Sequence, residues 1–157
     1  MSDPDISLLP PATPAVRRLR RIAAVLVLIA AAALLAGFLL HRYRIDRVRT
    51  IRAQIEQGIA TADGMRVAVA LYRARNGGAW PYNNSQAGLL SLSAVNGKYV
   101  ENTHIENGRI IITLGGDVER VVRGKHIVLT PYLDGPLVLW RCGSDDISAD
   151  LLPASCR

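Results

Sequence analysis

Two cysteines, three histidines and one adjacent acidic pair are the side chains here that could form a covalent bond, hold a metal or relay protons. Cys142 and Cys156 enclose a short segment at the end of the chain and have no metal-ligand partners at useful spacing. The pattern therefore points to a disulfide, the alternative being two reduced, buried thiols. A disulfide belongs to an oxidising compartment, which places this part of the chain in a periplasm or outside the cell. His41, His104 and His126 stand at the end of an apolar run, within a strand pattern and at a strand start. None has a second ligand at metal spacing, so each is expected to be structural or exposed, and no metal site is expected.

The pair Asp145-Asp146 lies between the cysteines. Acid–base catalysis by two carboxylates needs them separated across a cleft, so neighbouring aspartates in a loop are expected to be solvated charges. The chain contains no G-x-S-x-G, H-E-x-x-H, Walker-type or G-x-G-x-x-G pattern, and Gly115-Gly116-Asp117 reads as a turn rather than a phosphate cradle. Trp80 and Trp140 read as packing residues. The expectation is a protein without catalytic residues or a cofactor.

The elements that must position these residues begin with a long apolar run. Residues 22–40 are 19 consecutive positions without a charged or strongly polar side chain. As a helix they rise about 28 Å, close to the roughly 30 Å hydrocarbon core of a bilayer, with the backbone polar groups satisfied internally. A secretory signal cut near Ala31 or Ala33 is the alternative. It would leave Leu34, Leu35, Phe38, Leu39 and Leu40 at a new N-terminus with no membrane to hold them.

The 157 residues suit one folded domain beside this run, and they carry 19 Lys+Arg against 13 Asp+Glu. Residues 1–21 hold four positive and two negative charges, 41–76 eight and three, and 77–157 seven and eight. The surplus is thus Arg17, Arg18, Arg20 and Arg21 before the apolar run and Arg42, Arg44, Arg47, Arg49 and Arg52 after it. Anionic membrane lipids explain that placement. No basic surface interleaved with aromatics marks a nucleic-acid site. Because arginines flank both ends, orientation follows from the cysteines, with the Pro-containing leader in the cytoplasm.

The expected division is a cytoplasmic leader over 1–21, a transmembrane helix over 22–40, an amphipathic continuation over 41–76 and a folded domain over 77–157. Val48, Ile51, Ile55, Ile59, Met65, Val69 and Tyr72 recur at steps of three or four, which predicts one continuous helix with an apolar stripe for the domain to cover. Asn76-Gly77-Gly78 and Pro81 end it. A loop and an apolar patch over 87–92 follow. Strands over 99–105 and 109–114 flank Asn107-Gly108, and strands over 126–132 and 137–142 flank Asp134-Gly135, both hairpin signals. Pro131 marks its strand as an edge or as bulged. The fold class is α+β, a long helix packed on a four-stranded antiparallel sheet.

The run Arg52-Ala53-Gln54-Ile55-Glu56-Gln57-Gly58-Ile59-Ala60, continuing through Ala62-Asp63-Gly64-Met65 to Asn76-Gly77 and Trp80-Pro81, resembles the helix and following loop of type IV pilins. So do Gly97-Lys98-Tyr99-Val100, the Asn107-Gly108 hairpin, Trp140-Arg141-Cys142 and the closing Leu152-Pro153-Ala154-Ser155-Cys156-Arg157. The resemblance covers about residues 45–157 and implies a pilin-like fold with a disulfide-closed C-terminal loop. It further implies a subunit of a surface filament used in adhesion, twitching motility or DNA uptake. Gly143, Asp145, Asp146, Asp150 and Pro153 would then form a loop for adhesion or subunit contact, with other pilin subunits or pilus-assembly proteins as partners.

One departure stands out. The family's leader ends in Gly, just before an apolar segment that starts with Phe and carries a glutamate near its start, whereas here Arg21 meets Ile22 and no acidic residue lies between Arg17 and Leu40. The expected function is a pilin-like structural or minor subunit anchored in the bacterial inner membrane, its folded domain in the periplasm and a surface pilus as its further destination. The departure favours the alternative, a membrane-tethered pilin-fold module that binds or regulates without polymerising.

Overall fold

The computed structural model describes residues 14–89 and 97–157; the expectations for the leader ahead of residue 14 and for residues 90–92 of the apolar patch fall outside them. The chain divides into two compact units, residues 1–44 and 45–157. In the first, the helix α1 (Pro14–Ala60) begins before the apolar run, with Pro14 at a position where a missing N–H costs no helical hydrogen bond. Its residues from Val16 to Arg44 are exposed, including Leu26, Leu28, Leu34 and Phe38.

The second unit corrects the expectation of one uninterrupted helix. α1 ends at Ala60, and a separate helix α2 runs over Asp63–Arg75. Between them the Thr61 N–H bonds to the Gly58 carbonyl at 3.2 Å and the Ala62 N–H to the Ile59 carbonyl at 3.0 Å, the i−3 spacing of a tighter turn. The Thr61 hydroxyl also donates to the Gly58 carbonyl at 2.6 Å, competing with the helical ladder. Gly58 is buried where the helix meets the sheet, and a Cβ there would lie 3.2 Å from Val100 Cγ2. α2 stops as its sequence requires, with the Asn76 side chain donating to the Tyr72 carbonyl and Gly77 and Gly78 at positive φ.

The sheet consists of β1 (Val100–Glu106), β2 (Arg109–Leu114), β3 (His126–Asp134) and β4 (Leu137–Gly143), antiparallel in that order. The β1–β2 hairpin turns on Asn107 (φ 51°) and Gly108 (φ 80°), positive at both central positions as a type I′ turn demands. The second hairpin pairs Asp134 with Leu137, so its central residues are Gly135-Pro136 rather than Asp134-Gly135. Proline cannot take a positive φ, so this turn is the II′ kind with Gly135 (φ 57°) first. β3 lies inside the sheet with no break in its register, yet β2 pairs with it only as far as Leu129. Pro131 therefore behaves as an edge residue towards β2, where no ladder N–H is needed. The irregularity falls instead in β1, between Val100 and Asn102.

One apolar core joins Ile51, Ile55, Met65 and Val69 of the helices to Val100, Ile105, Ile110, Ile112, Leu114, Ile127 and Leu129 of the sheet. Trp80 packs against this core from the loop after α2. That loop runs along the first hairpin, with the Gly108 N–H donating to the Pro81 carbonyl at 2.8 Å, the Asn107 N–H to the Tyr82 carbonyl at 3.1 Å and the Ile105 N–H to Asn84 Oδ1 at 2.7 Å. A Cβ on Gly108 would come within 2.9 Å of Trp80 Cβ. Gly108→Ala combines that clash with a disfavoured φ and is expected to cost about 2–3 kcal/mol. A lowered thermal midpoint of the full chain in micelles checks this, and an unchanged midpoint would contradict the docking of Trp80 on the turn.

Candidate functional site

β4 delivers Cys142 to the start of the C-terminal loop, and a 3₁₀ turn, Ala154–Cys156, delivers the other end; the two cysteines are bonded, with Cα atoms 4.4 Å apart. Ile147, Leu152, Pro153 and Cys156 turn inward and are buried. From the helix side, the Arg52 guanidinium donates to the Asp150 carbonyl at 2.7 Å. At the end of the chain, Arg157 Nε donates to the Leu152 carbonyl at 3.0 Å. The loop is therefore held by a covalent bond, an apolar underside and side-chain hydrogen bonds to its backbone, and it presents an acidic outer rim.

Of the five loop residues singled out from the sequence, Asp145, Asp146 and Asp150 are exposed. Gly143 is half-buried, ends β4 and pairs with Val128. Pro153 is buried and precedes the 3₁₀ turn, so its side chain supports the loop from beneath. On the stripe, Ile51, Ile55, Met65 and Val69 are buried, while Val48, Ile59 and Tyr72 lie half-buried at its borders.

Asp146 is more than a solvated charge. Its carboxylate accepts the His126 backbone N–H at 3.1 Å, faces His126 Nδ1 at 2.9 Å and accepts the Ser144 hydroxyl at 2.9 Å. Ser144 Oγ also lies 2.6 Å from the His126 carbonyl oxygen, and it accepts the Ile147 N–H at 3.1 Å. The cluster contains Ser, His and Asp, but the hydroxyl bonds to the carboxylate and a carbonyl rather than to the imidazole, so nothing activates it as a nucleophile. It ties the loop to the start of β3. Sequence reading missed it because residues 126 and 146 meet only through the register of β3 on β4.

Desolvation pushes the Asp146 carboxyl up, but the His126 backbone and ring and the Ser144 hydroxyl together hold it below the usual 3.8. A depressed carboxyl stabilises the fold above its unfolded pKa, and that contribution disappears as pH falls through the lower folded value. Asp146→Asn should thus lower the thermal midpoint by a few degrees at neutral pH, and the gap from wild type should close below about pH 3.8. A gap independent of pH would contradict a charge-based tie. The Asp150 carboxyl, also held low, owes this chiefly to the Ser148 hydroxyl.

A second feature without a signal in hydropathy is the far end of the β3–β4 hairpin. Tyr132, Leu133 and Leu137 are exposed there, with the Arg141 guanidinium 5.5 Å from the Tyr132 ring centroid. Among the described residues, no group of three His, Cys, Asp or Glu could hold a metal ion.

Residues 51–157 match the family model described as pilin, a bacterial filament protein. The fimbrial protein of Neisseria meningitidis serogroup A is 31% identical over 155 residues, covering 84% of this chain and 89% of that protein. The type IV major pilin protein PilE of Neisseria gonorrhoeae is 32% identical over 152 residues, with the same coverage, and a gonococcal PilE1 is 35% identical over 152 residues, covering 84% and 82%. Together with a long helix on a four-stranded antiparallel sheet and a disulfide-closed terminal loop, these likenesses make the chain a member of the type IV pilin family, which is a family of structural filament proteins.

Proposed function

We propose that the chain is a structural or minor pilin subunit, anchored in the bacterial inner membrane by residues 22–40 with its folded unit in the periplasm, and that it acts in pilus assembly, adhesion or twitching motility. The observation that carries the anchoring is a helix with an 18-residue window of mean hydropathy 2.9, none of it buried. An exposed apolar surface of that extent has no partner in water, and a bilayer supplies one. The Cys142–Cys156 bond supports a periplasmic location for the second unit. The acidic rim of Asp145, Asp146 and Asp150 would meet neighbouring subunits or a receptor, and Val48 through Tyr72 would join helix to sheet. In spheroplasts, added protease should remove residues beyond the helix while a membrane-embedded fragment survives alkaline extraction. Complete protection of the folded unit would reverse the orientation.

A second reading is a tethered module that never polymerises. The specific observation favouring it is the lack of any acidic residue between Arg17 and Leu40, since an unpaired glutamate in an apolar filament core gains a partner only from a neighbouring subunit.

A further inference from the structure

The nine arginines beside the apolar run are one population in the sequence, but the structure separates them. Arg47 lies 3.4 Å from Glu119, and Arg52 donates to the Asp150 carbonyl, so these two are engaged by the folded unit, while Arg49, in the same unit, is exposed. Arg17, Arg18, Arg20, Arg21, Arg42 and Arg44 all lie in the first unit, all are exposed, and none pairs with a described carboxylate. From Arg21 to Arg42 the helix rises about 31 Å, matching a hydrocarbon core of about 30 Å. Exposed Tyr43 sits within the second group, where an aromatic ring suits the headgroup layer.

We propose that these residues form two collars, Arg17/Arg18/Arg20/Arg21 and Arg42/Arg44, that bind the phosphates of anionic phospholipids, one collar in each leaflet. The inference rests on the membrane-anchored reading above and adds a ligand class and a site to it. A planar guanidinium presents paired N–H donors to phosphate oxygens, and a charged guanidinium drawn to the bilayer centre is strongly opposed. Both ends of the helix therefore resist displacement along the bilayer normal.

The test uses the full chain reconstituted in phosphatidylcholine vesicles with and without phosphatidylglycerol. Competition between spin-labelled phosphatidylglycerol and spin-labelled phosphatidylcholine reads which lipid is held at the protein. The expected preference for phosphatidylglycerol is about fivefold at low salt and declines as salt rises. Arg17→Gln/Arg18→Gln/Arg20→Gln/Arg21→Gln and Arg42→Gln/Arg44→Gln should each lower it, and all six together should abolish it. An equal preference in wild type and the six-fold variant overturns the proposal, as does a preference carried wholly by one collar. Alkaline extraction of the chain from vesicles of pure phosphatidylcholine separates the two readings. Release there would sink the membrane-spanning reading and the collars with it, whereas retention without lipid preference would sink the collars alone.

Discussion

Ile55→Asp should separate helix from sheet. Ile55 is fully buried in the core that joins α1 to β1, β2 and β3, and among the described residues the fully buried side chains are apolar except for Thr103, so none of them offers a carboxylate placed there an opposite charge. The substitution removes most of a branched aliphatic side chain and leaves a group that must either ionise without a partner or take up a proton to remain buried. The expected loss is about 3–5 kcal/mol, a large fraction of the stability of a unit this size. Val67→Asp is the matched control, since Val67 on α2 is 58% exposed and its replacement should change stability by no more than about 0.5 kcal/mol. Denaturant unfolding of the two variants in micelles checks the pair. Equal effects would mean that the helices are not held by this stripe.

Removal of the disulfide is the second large effect. The bond spans a sequence separation of 14, and opening a loop of about 15 residues returns roughly 3 kcal/mol of chain entropy to the unfolded state. Cys142→Ser/Cys156→Ser should therefore lower the thermal midpoint by roughly 10 °C. The fold should persist, because Ile147 and Leu152 still fill the core and Arg52 still holds the Asp150 carbonyl. Wild type under reducing conditions should match the double variant. An oxidised chain no more stable than either would show that the other contacts alone define the loop.

What could be read from the sequence divides along physical lines. Asn107-Gly108 announced its hairpin because a type I′ turn is a local requirement, and the flanking strand Arg109–Leu114 has the bounds that its residues suggest. The second hairpin was legible as a pair of strands, but its turn lies one residue further on, since Gly135 followed by Pro136 satisfies the II′ geometry better than Asp134-Gly135 satisfies I′. The break between α1 and α2 was not legible. Helical periodicity runs through it unchanged, and its causes are the Thr61 hydroxyl and the close approach of the sheet at Gly58, a tertiary fact. The same holds for His126 and Asp146, brought together by a strand register that no local pattern encodes. The sorting of Arg47 and Arg52 from the other arginines likewise depends on where Glu119 and Asp150 come to rest.

The most direct test of the account is to recover the native chain from sheared surface filaments and from inner membranes and to determine its intact mass in each. A structural pilin subunit predicts the chain in both fractions, with the filament form retaining the apolar helix and the disulfide. Full-length chain confined to the inner membrane, with none in filaments from cells that make them, would contradict a filament role and assign the protein to the tethered, non-polymerising reading.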